Sequence, residues 1–335
     1  MFHNSVRAMT VIIALLTMAE LAPVFAQFPG RSKDFEKYRP HFIKTDDSEP
    51  KNGTVKVTYL GTATLLIDDG ETQILTDGFL SRPSVRATLR AIATDTATVD
   101  AALKKAKVER LKAVFTAHSH YDHAFDVAYV SKQTKAKLYG SSSTLNIGRG
   151  GDVAEEQMTL IEPGKTCTVG KFTVTVLKAK HSPPIPGLND DLGQTIDKPL
   201  KQPALFKEYK EGGAFDFLFR HGEHSFLVTA AGNYVDGSLD KVKAEVMFLS
   251  TGGVGMQPKA YQDDYYDHTV KLVKPKLVIP IHWDNFMQPL SDKLEPLGDP
   301  AFDVLIERLK ADKIKFGILQ GYQSVVLFGA SLKPE

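Results

Sequence analysis

The chain holds a single cysteine, Cys167. One thiol can form neither an intramolecular disulfide nor a cysteine-rich metal cage, so any metal must rest on histidine and carboxylate. A surplus of charge is lacking too. Lys and Arg total 41 against 40 for Asp and Glu, which leaves no summed field to draw in nucleic acid or an anionic membrane. Nucleic acid is therefore not expected as a partner. Long apolar runs are also missing: the stretch 11–19 falls short of the roughly 20 residues that cross a bilayer, so no stable membrane insertion is expected.

That short run has a context of its own. Arg7 precedes it, Glu20 and Pro23 end it, and Val24-Phe25-Ala26 sets small residues ahead of Gln27. This is the pattern of a secretory signal peptide over 1–26, which predicts a periplasmic or secreted protein. The remaining 27–335 fits one large α/β domain. Residues 27–52 mix charge with Pro and Gly and receive no element.

Strands are predicted over 54–60, 63–68 and 73–76, with Asp69-Gly70 as a hairpin turn. Helical spacing follows over 85–93 and 99–107, and a buried strand over 111–116 runs into a polar cluster. A helix over 124–132 comes next, with Phe125, Val127 and Val130 as core positions. Further strands are read at 137–139, 158–162 and 172–178. Residues 182–213 are rich in Pro and charge without apolar periodicity, which marks a long irregular insertion of the kind that is functional or disordered. A second hairpin, 215–219 and 225–230 around Gly222-Glu223, precedes a strand at 246–249, a helix at 261–273 and a strand at 277–281. A helix over 301–310 and strands at 314–319 and 324–328 complete the chain, and no internal sequence repeat is visible.

The cluster is His118-Ser119-His120-Tyr121-Asp122-His123. On chain leaving a strand, His118 and His120 project to the same side roughly 7 Å apart at the backbone. Both can reach one ion. Asp122 and His123 fall at the turn into a helix, where they can face a second ion. Imidazole and carboxylate suit zinc when thiolate is absent.

With this cluster the chain resembles the metallo-β-lactamase superfamily, whose signature is His-x-His-x-Asp-His after a buried strand. His118, His120, Asp122 and His123 fill the signature. His181, after the 172–178 strand, and His282, in Ile281-His282-Trp283, match the two later histidines, and Asp77 matches the acidic residue of the first motif, a support rather than a ligand. The resemblance implies a four-layer αββα sandwich with one ion on His118, His120 and His181 and the other on Asp122, His123 and His282. It departs at Asn233, where the family carries a bridging aspartate. The outcomes open there are one zinc, two zinc ions bridged by hydroxide alone, or Asp236 as substitute, and an aspartate at 233 is expected to raise metal content. Tyr59-Leu60-Gly61-Thr62-Ala63-Thr64 and Ile279-Pro280-Ile281-His282-Trp283 look most like the branch containing ascorbate-phosphate lactonase and N-acyl-phosphatidylethanolamine phospholipase D.

Zinc lowers the pKa of bound water to about 7, so a metal-bound hydroxide can attack a carbonyl or phosphorus at neutral pH. Asp122 would orient that water or take its proton, and Asn233 would donate to the developing oxyanion. The expected protein is a zinc-dependent hydrolase acting on an ester, lactone, amide or phosphodiester of a small-molecule or lipid-like substrate. The alternatives are a true β-lactamase and a non-catalytic periplasmic binding protein on the same fold. His221 and His224 flank a hairpin tip and are read as solvated, as is His268, while Trp283 and Phe286 could line a pocket or simply pack.

Overall fold

Alternating side chains build two sheets that share one core. The computed structural model describes residues 35–51, 53–184 and 190–329, so the signal segment read at 1–26 lies outside the described residues. Among those residues no helix is long and apolar enough to cross a membrane. The strands are β1 (Val55–Tyr59), β2 (Leu65–Asp68), β3 (Gln73–Thr76), β4 (Leu111–Phe115), β5 (Lys137–Gly140), β6 (Met158–Leu160), β7 (Thr166–Val169), β8 (Phe172–Lys178), β9 (Phe215–His221), β10 (His224–Thr229), β11 (Val246–Ser250), β12 (Leu277–Ile281), β13 (Lys315–Phe316) and β14 (Ser324–Leu327).

They form two seven-stranded sheets, ordered β14-β1-β2-β3-β4-β5-β6 and β13-β12-β11-β10-β9-β8-β7. Each sheet begins as an antiparallel meander and continues as parallel strands, with the change at β3/β4 in one and β10/β11 in the other. The two halves of the chain thus repeat one topology that the sequence does not betray.

Inner faces meet through Val57, Phe115, Phe172, Phe217, Phe248 and Ile279. In β8 the period of two is plain: Phe172, Val174 and Val176 are buried, and the residues between them are half-buried. Outside the first sheet, Leu66, Leu75 and Val114 pack on Val99 and Leu103 of helix Thr96–Lys105 and on Val127 and Val130 of helix Val127–Thr134. Outside the second, Met247 and Val278 pack on Tyr265 and Tyr266 of helix Lys259–His268 and on Leu305 and Leu309 of helix Phe302–Ala311. The result is the four-layer αββα sandwich.

Several elements differ from expectation. The helix read at 85–93 is one turn, Val85–Thr88, capped by Ser84. The one read at 124–132 splits into Tyr121–Ala124 and Val127–Thr134, because buried Asp126 turns its carboxylate to the Leu80 and Ser81 amides. The helix at 261–273 breaks at Thr269, whose hydroxyl bonds back to the Tyr265 carbonyl. Phe35–His41 forms a 3-10 turn that stacks Phe35 on Trp283. Described residues of the insertion are irregular but firmly docked: Leu200 N donates to the Asn146 carbonyl at 2.9 Å, and Ile196 N to Ser143 Oγ at 2.9 Å.

Asp216 interrupts the apolar pattern of β9. It is 4% exposed and its Oδ1 accepts from Ala230 N at 3.3 Å. Burial pushes its carboxyl up to about 8 from an ordinary 3.8, so the folded protein holds a proton that the unfolded chain releases. The folded pKa is raised, so this contribution to stability is fully present below about pH 4 and declines as pH rises towards about 8, by up to ~1.4 kcal/mol per pH unit. Asp216→Asn should remove that decline. Denaturant titrations of both proteins should show the variant's advantage growing between about pH 4 and pH 8 and then levelling; a constant difference would contradict the buried neutral carboxyl.

Candidate metal centre

Loops leaving β4, β8, β10, β11 and β12 gather at one edge of the sandwich. His118 and His120 follow β4, and Asp122 and His123 begin the turn Tyr121–Ala124. His181 lies beyond β8, held by a 2.7 Å bond from Ser182 N to the Ala231 carbonyl past β10. His282 follows β12 directly in the left-handed region, φ 57°, with its N donating to the Thr62 carbonyl.

The six residues form two compact triads. In His118, His120 and His181, and likewise in Asp122, His123 and His282, one ligand atom per residue lies within 4.8 Å of the others. His120 Nδ1 is 3.1 Å from His181 Nε2, His123 Nε2 is 3.1 Å from His282 Nε2, and Asp122 Oδ2 is 3.2 Å from His282 Nε2. Two ligands of one tetrahedral zinc with bonds of about 2.0–2.1 Å stand roughly 3.4 Å apart. The donor set therefore fits a divalent cation. His118 adds an independent sign: it is 1% exposed, and neither ring nitrogen has a hydrogen-bond partner among the described residues. Such an orphan costs about 1–3 kcal/mol unless something takes its lone pair.

Electrostatics prepare these groups as ligands. Burial, aided by neighbouring imidazoles, holds His118 well below the usual imidazole range, and burial pushes His181 down to about 3. Both are neutral at pH 7, as metal ligation requires. For Asp122, burial acts upward, but His123 and His282 prevail and hold it below the usual carboxylate range. For His282, burial acts downward and Asp122 more than offsets it.

Asp77 stands behind the second triad. Its Oδ2 is 2.7 Å from His123 Nδ1, and its Oδ1 accepts from Ala117 N at 2.7 Å. A carboxylate only accepts, so the proton of His123 sits on Nδ1 and the Nε2 lone pair faces His282 and Asp122. Asn233 sits beside the cluster, not in it: Nδ2 donates to the His181 carbonyl at 2.7 Å and Oδ1 accepts from Tyr234 N at 2.8 Å. Asp236 is not brought to the site, since its side chain is 84% exposed and pairs with His268.

Sequence reasoning passed over a buried clamp. Asp284, two residues past His282, accepts from Tyr59 Oη at 2.6 Å and Thr62 N at 2.7 Å, and it pairs with Arg82 at 2.8 Å with both side chains wholly buried. Gly61 is required here, because a Cβ would lie 1.8 Å from the Arg82 guanidinium. The Arg82-Asp284 pair has no short-range sequence signal, as 202 positions separate its members. Asp191 was missed as well. It reaches back from the insertion to His120 Nε2 at 3.0 Å, and its only signal is an acidic pair close after a ligand.

A cleft opens over the triads. Its walls include Tyr121, Phe206 and Phe286, Ser250 and Thr251, and Lys207 and Lys210 from the insertion. Phe286 and Trp283 both border the cleft, and Trp283, 1% exposed, also stacks on Phe35. His221 is buried against Asp69 and Phe172, not solvated, because the hairpin tip folds onto the first sheet. His224 and His268 are half-buried, beside Glu245 and Tyr234 respectively.

Comparison with known proteins follows the same outline. The model of the beta-lactamase superfamily domain matches residues 72–283. A metal-dependent hydrolase of Anaeromyxobacter sp. strain K is 28% identical over 247 residues, 71% of this chain and 79% of that protein. Among solved structures, Igni18, a metallo hydrolase of Ignicoccus hospitalis, has a TM-score of 0.52 at 16% identity, covering 82% of this chain and 99% of that one. CmlA, a diiron β-hydroxylase of Streptomyces venezuelae, has a TM-score of 0.51 at 16% identity, covering 82% of this chain and 54% of that one. At such identity the structural likeness speaks for the fold alone. The family match runs from the turn before β3 to Trp283 and takes in all six clustered residues, so the chain belongs to the metallo-β-lactamase superfamily.

Proposed function

We propose that this protein is an exported, zinc-dependent hydrolase that cleaves an ester, lactone, amide or phosphodiester bond in a small-molecule or lipid-like substrate. The observation that carries the metal-dependent reading is the pair of triads with an orphaned His118 at their centre. Zinc supports the finer reading because a three-histidine site without thiolate suits it. The signal-peptide pattern of the sequence ahead of Gln27 supports export.

A bound cation would supply Lewis acidity and acidify a water near neutral pH. The chain's own residues do the rest. Asp122 Oδ2, in contact with His282 and lining the cleft, orients the attacking water and handles its proton. Ser250 and Thr251 line the cleft, and their buried hydroxyls make no hydrogen bond within the described protein. They are placed to donate to a polar atom of the substrate, a task that Asn233, with its amide turned to His181, does not share. Tyr121 meets Phe206 edge-on at 5.7 Å and Phe286 at 6.3 Å, forming an apolar wall for the acyl or alkyl part.

Three outcomes test this. His120→Ala should lose both bound zinc, by elemental analysis, and turnover on a panel of lactones, esters, phosphodiesters, a penicillin and a carbapenem; full activity of the metal-free variant would defeat the proposal. Asn233→Asp exchanges a donor for an acceptor opposite the His181 carbonyl, so it should lower stability in denaturant by about 1–3 kcal/mol without adding metal. A gain of zinc per chain over wild type would mean that the carboxylate swings round to join the metal ligands. Secreted or periplasmic protein should begin at Gln27 by N-terminal sequencing, and retention of the full leader in the cytoplasm would refute export.

A further inference from the structure

The first triad contains only imidazole ligands, His118, His120 and His181, with no carboxylate to balance a dication, and Asn233 brings none from the position where the family carries aspartate. A carboxylate does reach this triad, from the insertion. Asp191 Oδ1 lies 3.0 Å from His120 Nε2, and the two side chains are 14% and 9% exposed. Asp191 belongs to neither compact ligand triad, so it stands one imidazole removed from the ion position.

The geometry mirrors that at Asp77. A carboxylate accepts and does not donate, so the proton of His120 lies on Nε2 and the Nδ1 lone pair points towards His181 Nε2 at 3.1 Å. A carboxylate behind a ligating imidazole orients the ring and raises its basicity. Each triad then has one histidine backed in this way: His123 by Asp77 and His120 by Asp191.

We infer that Asp191 is a positioning residue of the metal centre, returning through His120 the negative charge that Asn233 lacks, and that the insertion is therefore part of the metal site; this rests on the metal-dependent reading above. The insertion is built to hold Asp191 there. Its Oδ2 accepts from Glu211 N at 3.2 Å, and the Glu211 carbonyl accepts from Ser119 N, between the two ligands, at 3.0 Å. Glu211 Oε2 also accepts from Gly193 N at 2.8 Å, closing the two ends of the described loop on each other.

The test is competition between metal-stripped full-length protein and a chromophoric chelator for Zn2+, with Co2+ spectra separating the two positions. Asp191→Asn should weaken one of the two binding events by about 10–100-fold and leave the other in place, and Asp191→Glu should recover part of the loss. Asp77→Asn should weaken the opposite event. Ser143→Ala, which removes the insertion's bond to Ile196 N without touching the carboxylate, should change affinity by no more than about twofold. Wild-type affinity in Asp191→Asn overturns the inference, and so does an equal loss in Ser143→Ala, which would make docking alone responsible. Should Asp191→Asn fail to fold, Asp191→Glu alone decides: affinity between wild type and a tenfold loss upholds the inference and undiminished affinity overturns it. A wild-type protein that binds no metal would instead sink the metal-dependent reading itself.

Discussion

Everything at this site follows from the difficulty of burying imidazole. A ring nitrogen taken out of water needs a partner for its proton or its lone pair, and each one left without costs about 1–3 kcal/mol. The protein buries His118 and His123 almost completely, with His120 nearly so. For two of these rings a carboxylate takes one nitrogen and leaves the other directed inward. His118 has no such partner among the described residues, and both its nitrogens are orphaned. A fold that keeps neutral imidazoles in this state stabilises itself by taking up a cation, because whatever binds only the folded form adds its binding free energy to folding.

Holding six ligands in register requires rigid loops, and strain gathers in them. Thr62, Asp77, Arg82 and His282 all have positive φ, between 43° and 57°, a region that costs a non-glycine residue of order 1 kcal/mol. Each sits in or beside a loop that supports the centre. The Arg82-Asp284 pair locks two of these loops across the sheets. Such a buried pair adds little over an apolar replacement of the same shape, yet losing one member costs about 3–5 kcal/mol. Its value is geometric: Asp284 fixes Thr62 N and Tyr59 Oη, and the Thr62 carbonyl in turn fixes the His282 backbone.

How much was legible in the sequence depended on the range of the physics involved. Alternation along β8, the Asp69-Gly70 turn and the strand running into His118 are local patterns, and they led to those elements and to the His118–His123 cluster; the sandwich, His181 and His282 came through the resemblance to the metallo-β-lactamase superfamily. Helix Ser142–Gly150 escaped because Gly148 and Gly150 lower its propensity; both are needed where a Cβ would meet Met158 and the Leu200 carbonyl. Strand β7 escaped because Thr166, Cys167 and Thr168 lie on a sheet edge and stay partly exposed. Phe35 lies in a segment without period, and only its stacking on Trp283 gives it a place. Asp191, Asp284 and Arg82 escaped for one reason: their partners are remote in the chain, and long-range pairing leaves no period to read.

The two triads differ in where their charge comes from, and this ties them to different parts of the molecule. Asp122 gives the second triad a charge in direct contact, and Asp77, at the end of β3, backs it from the sheet that also carries β4. That half of the centre is a product of the core. The first triad has imidazole alone, a ligand set that suits iron as well as zinc. Its only carboxylate among the described residues arrives on the insertion, which also walls the cleft through Phe206, Lys207 and Lys210. Changes to this segment that reshape the substrate wall therefore act on the first ion position too. In the first half of the centre the backing carboxylate arrives on a segment that also walls the cleft; in the second it comes from the core at the end of β3.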